Sequence, residues 1–210
     1  MDKKTIALDI RDGMNSFERV VKRIFDFVCS FLALIILSPV FLVVAIALLC
    51  QGDGSVFFKQ ERIGYKGKAF NILKFRTMHV NSESNGKPQL AKVNDDRLTK
   101  VGKFLREHHL DELPQLVNVL LGDMSFVGPR PERRYFIDLI RKENPNYDYI
   151  YLMRPGLTSM ATLHNGYTDT MEKMLRRLDM DLEYLQKRSL WLDAKLIFTT
   201  FLYIVNGKKF

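Results

Sequence analysis

Residues 27–50 read FVCSFLALIILSPVFLVVAIALLC, 24 positions without a charge. As a helix rising about 1.5 Å per residue, this run would reach roughly 36 Å, enough to cross a bilayer core. It is apolar on every face, which argues against an amphipathic helix of a soluble core. It is not read as a cleavable signal peptide. It starts too far from the N-terminus, is too long for an apolar signal core, and no small-residue cleavage site follows. Ser38-Pro39 divides it into two stretches of 11 residues. Proline removes one helical hydrogen bond and clashes with the preceding turn, so a kink is expected there. The Ser38 hydroxyl is placed to satisfy a freed carbonyl.

The flanks of the run share one sign. Arg19, Lys22 and Arg23 precede it, and Lys59, Arg62, Lys66 and Lys68 follow. The positive-inside rule then gives no reason to put the flanks on opposite sides of a membrane. A helix-break-helix hairpin that enters one leaflet and returns satisfies both flanks, and a straight span is the alternative. Asp26 fits an interfacial position, beside a Lys or Arg partner.

The rest of the chain is not membrane-like. Among 210 residues, 32 basic and 24 acidic side chains leave a net charge of +8. Hydrophobic residues make up 47% and charged ones 27%, which excludes disordered and collagen-like classes. A mean hydropathy of −0.10 excludes a polytopic membrane protein but not one apolar segment on a polar body. Two cysteines, Cys29 and Cys50, both in the apolar stretch, exclude a disulfide scaffold and a cysteine-rich zinc site.

Beyond a polar lead over 1–17 and the hairpin over 18–50, residues 51–205 read as one domain ending in a basic tail, 206–210. Two strand-like segments, SVFFKQERIG and AFNILKFRTM, flank a turn at YKGK. NSESNGKPQ at 81–89 is a loop by composition. Leu98, Val101, Phe104 and Leu105 begin a helical pattern, and LDELPQLVNVLLG begins another that Gly122 stops. MSFVGPRPE reads as a loop, 132–143 as a helix, and 170–188 as an amphipathic helix. Residues 189–205 are apolar, with Trp191 and Tyr203 suited to an interface. They read as a helix on the membrane or against the hairpin. The expected fold is α+β: a re-entrant membrane helix-break-helix hairpin plus a compact cytoplasmic domain of amphipathic helices with a short antiparallel β-sheet.

The sharpest local feature is Asp111-Glu112 followed by Leu113-Pro114. An Asp N-cap with Pro in the first turn is an ordinary helix start. A carboxylate at that position also stands near any phosphate bound to the helix N-terminus, which suits a nucleophile or a Mg²⁺ ligand. Gly128-Pro129-Arg130-Pro131 holds Arg130 between two prolines, a rigid presentation for phosphate contact, with Arg133 and Arg134 behind it. In a strand, Lys74 and Arg76 share a face. The four histidines lack metal-ligand spacing. Nucleic-acid binding fits poorly, because no recognition motif accompanies the basicity; lipid headgroups or a phosphorylated substrate fit better.

Four segments occur in order: KRIFDFVCSFLALIILSP, VFFKQERIGYKGKAFNILKFRTM, LREHHLDELPQLVNVLLGDMSFVGPRPE and RPGLT. Together they resemble the bacterial sugar transferase family, the monotopic phosphoglycosyl transferases, in its small form. The resemblance covers roughly residues 18–205. It implies transfer of sugar-1-phosphate from a UDP-sugar to undecaprenyl phosphate, with release of UMP, at the cytoplasmic face of the bacterial inner membrane. This is the first membrane step of exopolysaccharide, O-antigen or glycoconjugate synthesis. It implies Asp111 as nucleophile and Mg²⁺ ligand, Glu112 as its dyad partner, and Lys74, Arg76, Arg106, Arg130 and Arg133 as substrate contacts. It also places the break of a re-entrant membrane helix at Ser38-Pro39. The chain departs from the family at RPGLTSMATLHNGYTD, where Ser159, Met160 and Thr162 break the usual pattern, so sugar preference does not carry over. A membrane-surface hydrolase of nucleotide sugars and a non-catalytic membrane-anchored scaffold are the competing readings. A homodimer is compatible with the sequence, but no heptad supports one.

Overall fold

The computed structural model describes residues 10–80, 82, 95–166 and 168–206. Most of the 81–89 loop, most of the 206–210 tail and residues 1–9 of the lead lie outside the described residues.

Helix α1, Ser16–Ile36, begins at a capping box in which Asn15 and Glu18 satisfy each other's backbone N–H groups. It ends at the proline break. Helix α2, Ser38–Gln51, carries Pro39 in its first turn and leaves at an angle 59° off the first axis. Ser38 Oγ donates to Ile35 O at 2.8 Å, the compensation expected of that hydroxyl. Among the described residues no single helix is long and apolar enough to cross a membrane, but the bent pair meets that test together.

Strands β1, Phe57–Ile63, and β2, Ala69–Phe75, form an antiparallel ribbon with Phe58 opposite Lys74. The YKGK turn closes it with Lys66 and Gly67 at positive φ. Helix α3, Lys100–Glu107, starts at Thr99, and helix α4, Gln115–Leu121, ends on Gly122 in the left-handed region. The segment read as a loop contains strand β3, Ser125–Val127. It pairs in parallel with β4, Gly156–Thr158, inside the RPGLT segment. The expected single antiparallel sheet is therefore two two-stranded sheets. Three residues are too few to show a period, and the partner lies about thirty positions away, so β3 carries no local signal.

Helices α5, Arg134–Glu143, α6, Met160–His164, α7, Met171–Lys187, and α8, Leu190–Val205, complete the fold, with a 3₁₀ segment at Pro145–Leu152. The main core gathers Ile137 and Ile140 of α5, Leu178 and Leu185 of α7, and Leu196 of α8 around Tyr147 and Met153. Each such side chain contributes roughly 1.5–3 kcal/mol by leaving water. A second cluster joins Val44 and Leu48 of α2 to Phe75 and Leu105.

Large apolar side chains stay exposed on α1 (Phe17, Phe27, Phe31, Ile36), α2 (Leu42, Val43, Leu49) and α8 (Trp191, Phe198, Phe201). Patches of this kind mark contact with lipid or protein. Asp26 is buried and accepts the Phe126 N–H at 3.1 Å, so it joins the apolar arm to β3. Lys22 bonds Asp193 of α8 at 2.5 Å, and Asp193 also accepts from Tyr184 of α7. Asp193→Ala takes this partner from a half-buried ammonium and leaves a buried phenol without its acceptor. We expect a loss of about 3–5 kcal/mol in denaturant unfolding of the detergent-solubilised chain.

Candidate active site

The chain leaves α3 through His108 and enters the left-handed region at His109, φ 55°. A 3₁₀ turn at Leu110–Glu112 follows, then Pro114, and α4 starts at Gln115. Asp111 is therefore not the helix N-cap. Pro114 holds that position, and the two carboxylates project from the turn before the helix.

Their surroundings differ. Glu112 Oε1 accepts from Lys74 Nζ at 2.6 Å and from Arg130 Nη2 at 3.4 Å. Burial opposes its charge, but Lys74 and Arg130 prevail and hold the carboxyl well below the usual range. Asp111 is 6% exposed, and no side chain among the described residues hydrogen-bonds it. Burial raises its pKa and the charge of Glu112 adds to that, against Lys74, Arg106 and Arg130. One carboxylate is thus locked in a cationic grip, while its neighbour is buried and less neutralised. Pairs pushed apart in this way mark sites where two carboxylates have different duties.

Three elements set the grip. Lys74 comes from β2, whose outer edge is held by Asn118 of α4. Asn118 Oδ1 accepts the Leu73 N–H at 3.0 Å, and its Nδ2 donates to Asn71 O at 2.8 Å. Arg130 comes from the loop after β3, where the carbonyls on either side of it are pinned. Pro129 O accepts from Gly156 N, Pro131 O from Arg62 Nη1, and Glu132 O from Ile63 N. The C-terminal carbonyls of α4 are capped by Arg23 of α1, through Val119 O at 2.6 Å and Leu120 O at 2.8 Å, and Arg154 takes Gly122 O at 2.8 Å. Cations at that helix end are stabilising.

Of the residues singled out in the sequence, Lys74, Glu112 and Arg130 meet, with Asp111 beside them and Arg106 within electrostatic range. Arg76 does not share the site of Lys74. It follows the end of β2 and donates to Ser55 O and Ser55 Oγ, both at 2.7 Å. Arg133 stands before α5 and acts on Arg62 by charge. The divergent Ser159 caps α6, and Thr158 bonds Thr200 of α8. No bond among the described residues joins that segment to the carboxylates.

Sequence reading missed Asn118 and the buried group behind Arg130. Glu132 accepts from Arg177 Nη2 at 2.6 Å and Arg62 Nη1 at 3.4 Å. Burial opposes its charge, but Arg177 and Arg62 keep its pKa low. The available signal was polarity in apolar company: Asn118 within LVNVLL, and Arg177 and Asp181 on the core face of α7. Asp181 is buried beside Arg177 and Glu132, with Oδ1 unpartnered among the described residues, and burial pushes its pKa up to about 7. The unfolded carboxyl titrates near 3.8. The native state therefore binds the extra proton between those values, and stability falls as pH rises through that window. Asp181→Asn removes the fall. Its unfolding free energy should match the wild type near pH 4 and exceed it by a few kcal/mol at about pH 8.

Among the described residues, no three His, Cys, Asp or Glu side chains converge as a metal cage. A magnesium ion needs no such cage, because one or two carboxylates with substrate phosphate oxygens suffice. The under-neutralised Asp111 fits that donor set; Glu112 Oε1 is already engaged.

The family profile for bacterial sugar transferases matches residues 17–207. A UDP-glucose:undecaprenyl-phosphate glucose-1-phosphate transferase of Klebsiella pneumoniae is 44% identical over 189 residues, 89% of this chain and 40% of that protein. A UDP-N-acetylgalactosamine-undecaprenyl-phosphate N-acetylgalactosaminephosphotransferase of Aeromonas hydrophila is 40% identical over 89% of this chain and 44% of its own length. A relative in Caulobacter vibrioides, named as is the Klebsiella protein, is 42% identical over 93% of this chain and 70% of its own. The chain thus spans about two fifths of the length of the first two relatives. With a profile match over nearly its whole length, the chain belongs to the bacterial sugar transferase family.

Proposed function

We propose that this protein transfers sugar-1-phosphate from a UDP-sugar to undecaprenyl phosphate and releases UMP. The observation that carries the reading is the split pair: a buried carboxylate without a hydrogen-bonding partner among the described residues, beside one fixed on Lys74 and Arg130. Asp111 Oδ attacks the sugar-bearing phosphorus, and the bond from that phosphorus to the UMP oxygen breaks. The acyl phosphate on Asp111 is then attacked by an oxygen of the lipid phosphate, which frees the carboxylate and yields the lipid diphosphosugar. Lys74, Arg106 and Arg130 neutralise phosphate charge that would repel the nucleophile. Asp111, with phosphate oxygens, would hold Mg²⁺, which supplies further charge neutralisation at the transferring phosphoryl group.

The bent arm supports a location for the site at a membrane surface. Basic flanks on both ends, the 59° break and the exposed apolar faces of α1, α2 and α8 support a re-entrant segment in one leaflet. The dyad then works at the cytoplasmic face of the bacterial inner membrane, where UDP-sugars are present. A step of this kind starts exopolysaccharide or other glycan assembly.

The test is nucleotide release. The purified chain in nanodiscs receives Mg²⁺, undecaprenyl phosphate and a panel including UDP-glucose and UDP-N-acetylgalactosamine. UMP that appears only with lipid acceptor, for one donor, is the expected result. UMP formed equally well without lipid would replace the transferase with a hydrolase, and no UMP from any donor would favour the scaffold.

A further inference from the structure

Gln115 opens α4 and is 3% exposed, yet its Nε2 is buried with no hydrogen-bond partner among the described residues. A native protein seldom leaves such a donor unpaired without a role for it. The fold narrows the choice of acceptor. The 3₁₀ turn at Leu110–Glu112 runs on through Leu113 and Pro114, both right-handed helical, into α4. Leu113 N bonds Leu110 O at 3.2 Å and Leu116 N bonds Leu113 O at 3.0 Å, which carries the coil across the junction. Gln115 therefore stands one turn after Asp111. Residues four apart on such a backbone have Cβ atoms roughly 5–6 Å apart, and a Gln and an Asp so spaced can hydrogen-bond. Helical side chains lean towards the N-terminus, so this carboxamide leans over the turn that carries the dyad.

The neighbouring polar groups are already engaged. Asn118, three positions on, is filled by Leu73 N and Asn71 O of β2. Glu112, three positions back, has Oε1 taken by Lys74 and Arg130. The cations acting on Asp111, namely Lys74, Arg106 and Arg130, are donors and cannot accept an N–H. Asp111 itself is 6% exposed and lacks a hydrogen-bonding partner among the described residues. A buried donor and a buried acceptor, each unmatched, thus occupy successive turns.

We propose that Gln115 is a positioning residue for the reaction, its Nε2–H donating to one Oδ of Asp111 so that the other faces the phosphorus. The proposal rests on Asp111 as nucleophile in the proposed transfer. Another cation here would engage the carboxylate as Lys74 and Arg130 engage Glu112, whereas a neutral amide orients it and leaves its charge in place. When the second Oδ bonds phosphorus and the bond to the UMP oxygen breaks, the amide donates to the carbonyl oxygen of the acyl phosphate. When an oxygen of the lipid phosphate attacks, the bond from phosphorus to Oδ breaks and its electron pair returns to a carboxylate that the amide still holds.

The experiment compares wild type with Gln115→Met, which keeps a linear side chain of similar volume and lacks the amide. Removing an unpaired buried amide should leave the unfolding midpoint unchanged or raised. We expect kcat to fall roughly tenfold to a hundredfold, as for a lost hydrogen bond to a charged group, with both donor and acceptor KM unchanged. Gln115→Asn, whose donor is one methylene short, should lie between. A second readout needs no turnover: side-chain amide NMR of the full chain in detergent, labelled with nitrogen-15 glutamine, where the Gln115 signal is the one missing from Gln115→Met. Asp111→Asn replaces a charged acceptor by a neutral one and should move that signal further than Glu112→Gln does. Unchanged kcat in a folded Gln115→Met protein, a loss confined to KM, a fall in stability as severe as the fall in kcat, or an amide signal indifferent to Asp111→Asn would overturn the assignment. No UMP from wild type with any donor, alongside an amide signal that follows Asp111, would remove the transferase reading and leave the pairing standing.

Discussion

Asp111→Asn is expected to cut UMP release at least about 10³-fold and to leave the protein as stable as wild type, or more so, at neutral pH. The two effects come from the same feature. Burial raises the native pKa of Asp111 above its unfolded value. Such a group contributes stability below the unfolded pKa and loses it as pH rises through the native one. At pH 7 the ionised carboxylate therefore costs stability, and an uncharged amide of the same shape relieves that cost. Glu112→Gln should behave in the opposite way. The native pKa of Glu112 is lowered by Lys74 and Arg130, so its contribution is present at neutral pH and disappears on acidification. Losing the grip, in a side chain 24% exposed, should cost about 1–3 kcal/mol, less than a fully buried pair. Nucleotide release and urea unfolding on both variants check the contrast. A Asp111→Asn protein that is fully active, or much less stable, would remove Asp111 from the nucleophile's role.

Gly128→Ala should be nearly as damaging, although it touches no charged group. A Cβ at that position would lie 2.1 Å from Arg154 O, and β4 approaches so closely that a Cβ on Gly156 would meet Gly128 N at the same distance. Both obstructions are backbone, which cannot swing aside. The parallel pair must separate, and Arg130, two residues on, moves with it. Overpacking of this kind costs about 1–3 kcal/mol or more. A displacement near 1 Å at a positioning group can lower turnover about 10²-fold. Gly166→Ala is the control: its φ of +61° strains any side chain, but nothing lies within 4 Å, so about 1 kcal/mol and little activity should be lost. Unfolding midpoints with UMP release separate the two variants.

Much of this arrangement is legible in the sequence where the signal is local. The proline break, the β1–β2 ribbon, the stop at Gly122 and the apolar stripe of α7 all follow from periodicity and backbone chemistry. Adjacency in the sequence also keeps Asp111 with Glu112. What could not be read is what crosses the chain. Asn118 looks like an ordinary polar interruption until β2 lies beside it and needs its bare edge filled. Alternation puts Lys74 and Arg76 on one face, yet the strand ends at Phe75 and Ser55 captures Arg76. Glu132 reads as the start of a helix, but it is a buried junction of Arg62 and Arg177, from segments about seventy and forty-five positions away. Pairing across such distances is settled by packing, and no window of sequence contains both partners.

The bonds from Arg23 to Val119 and Leu120, and from Asp26 to Phe126, bear on how this protein can be handled at the bench. A clone begun after Gln51, cut to obtain a detergent-free catalytic fragment, would remove the cap of the helix that follows the dyad. It would also remove the acceptor for a β3 amide. The fragment would be short of part of its own interior as well as of an anchor, so recovery of soluble material from it should not be taken as recovery of the native site.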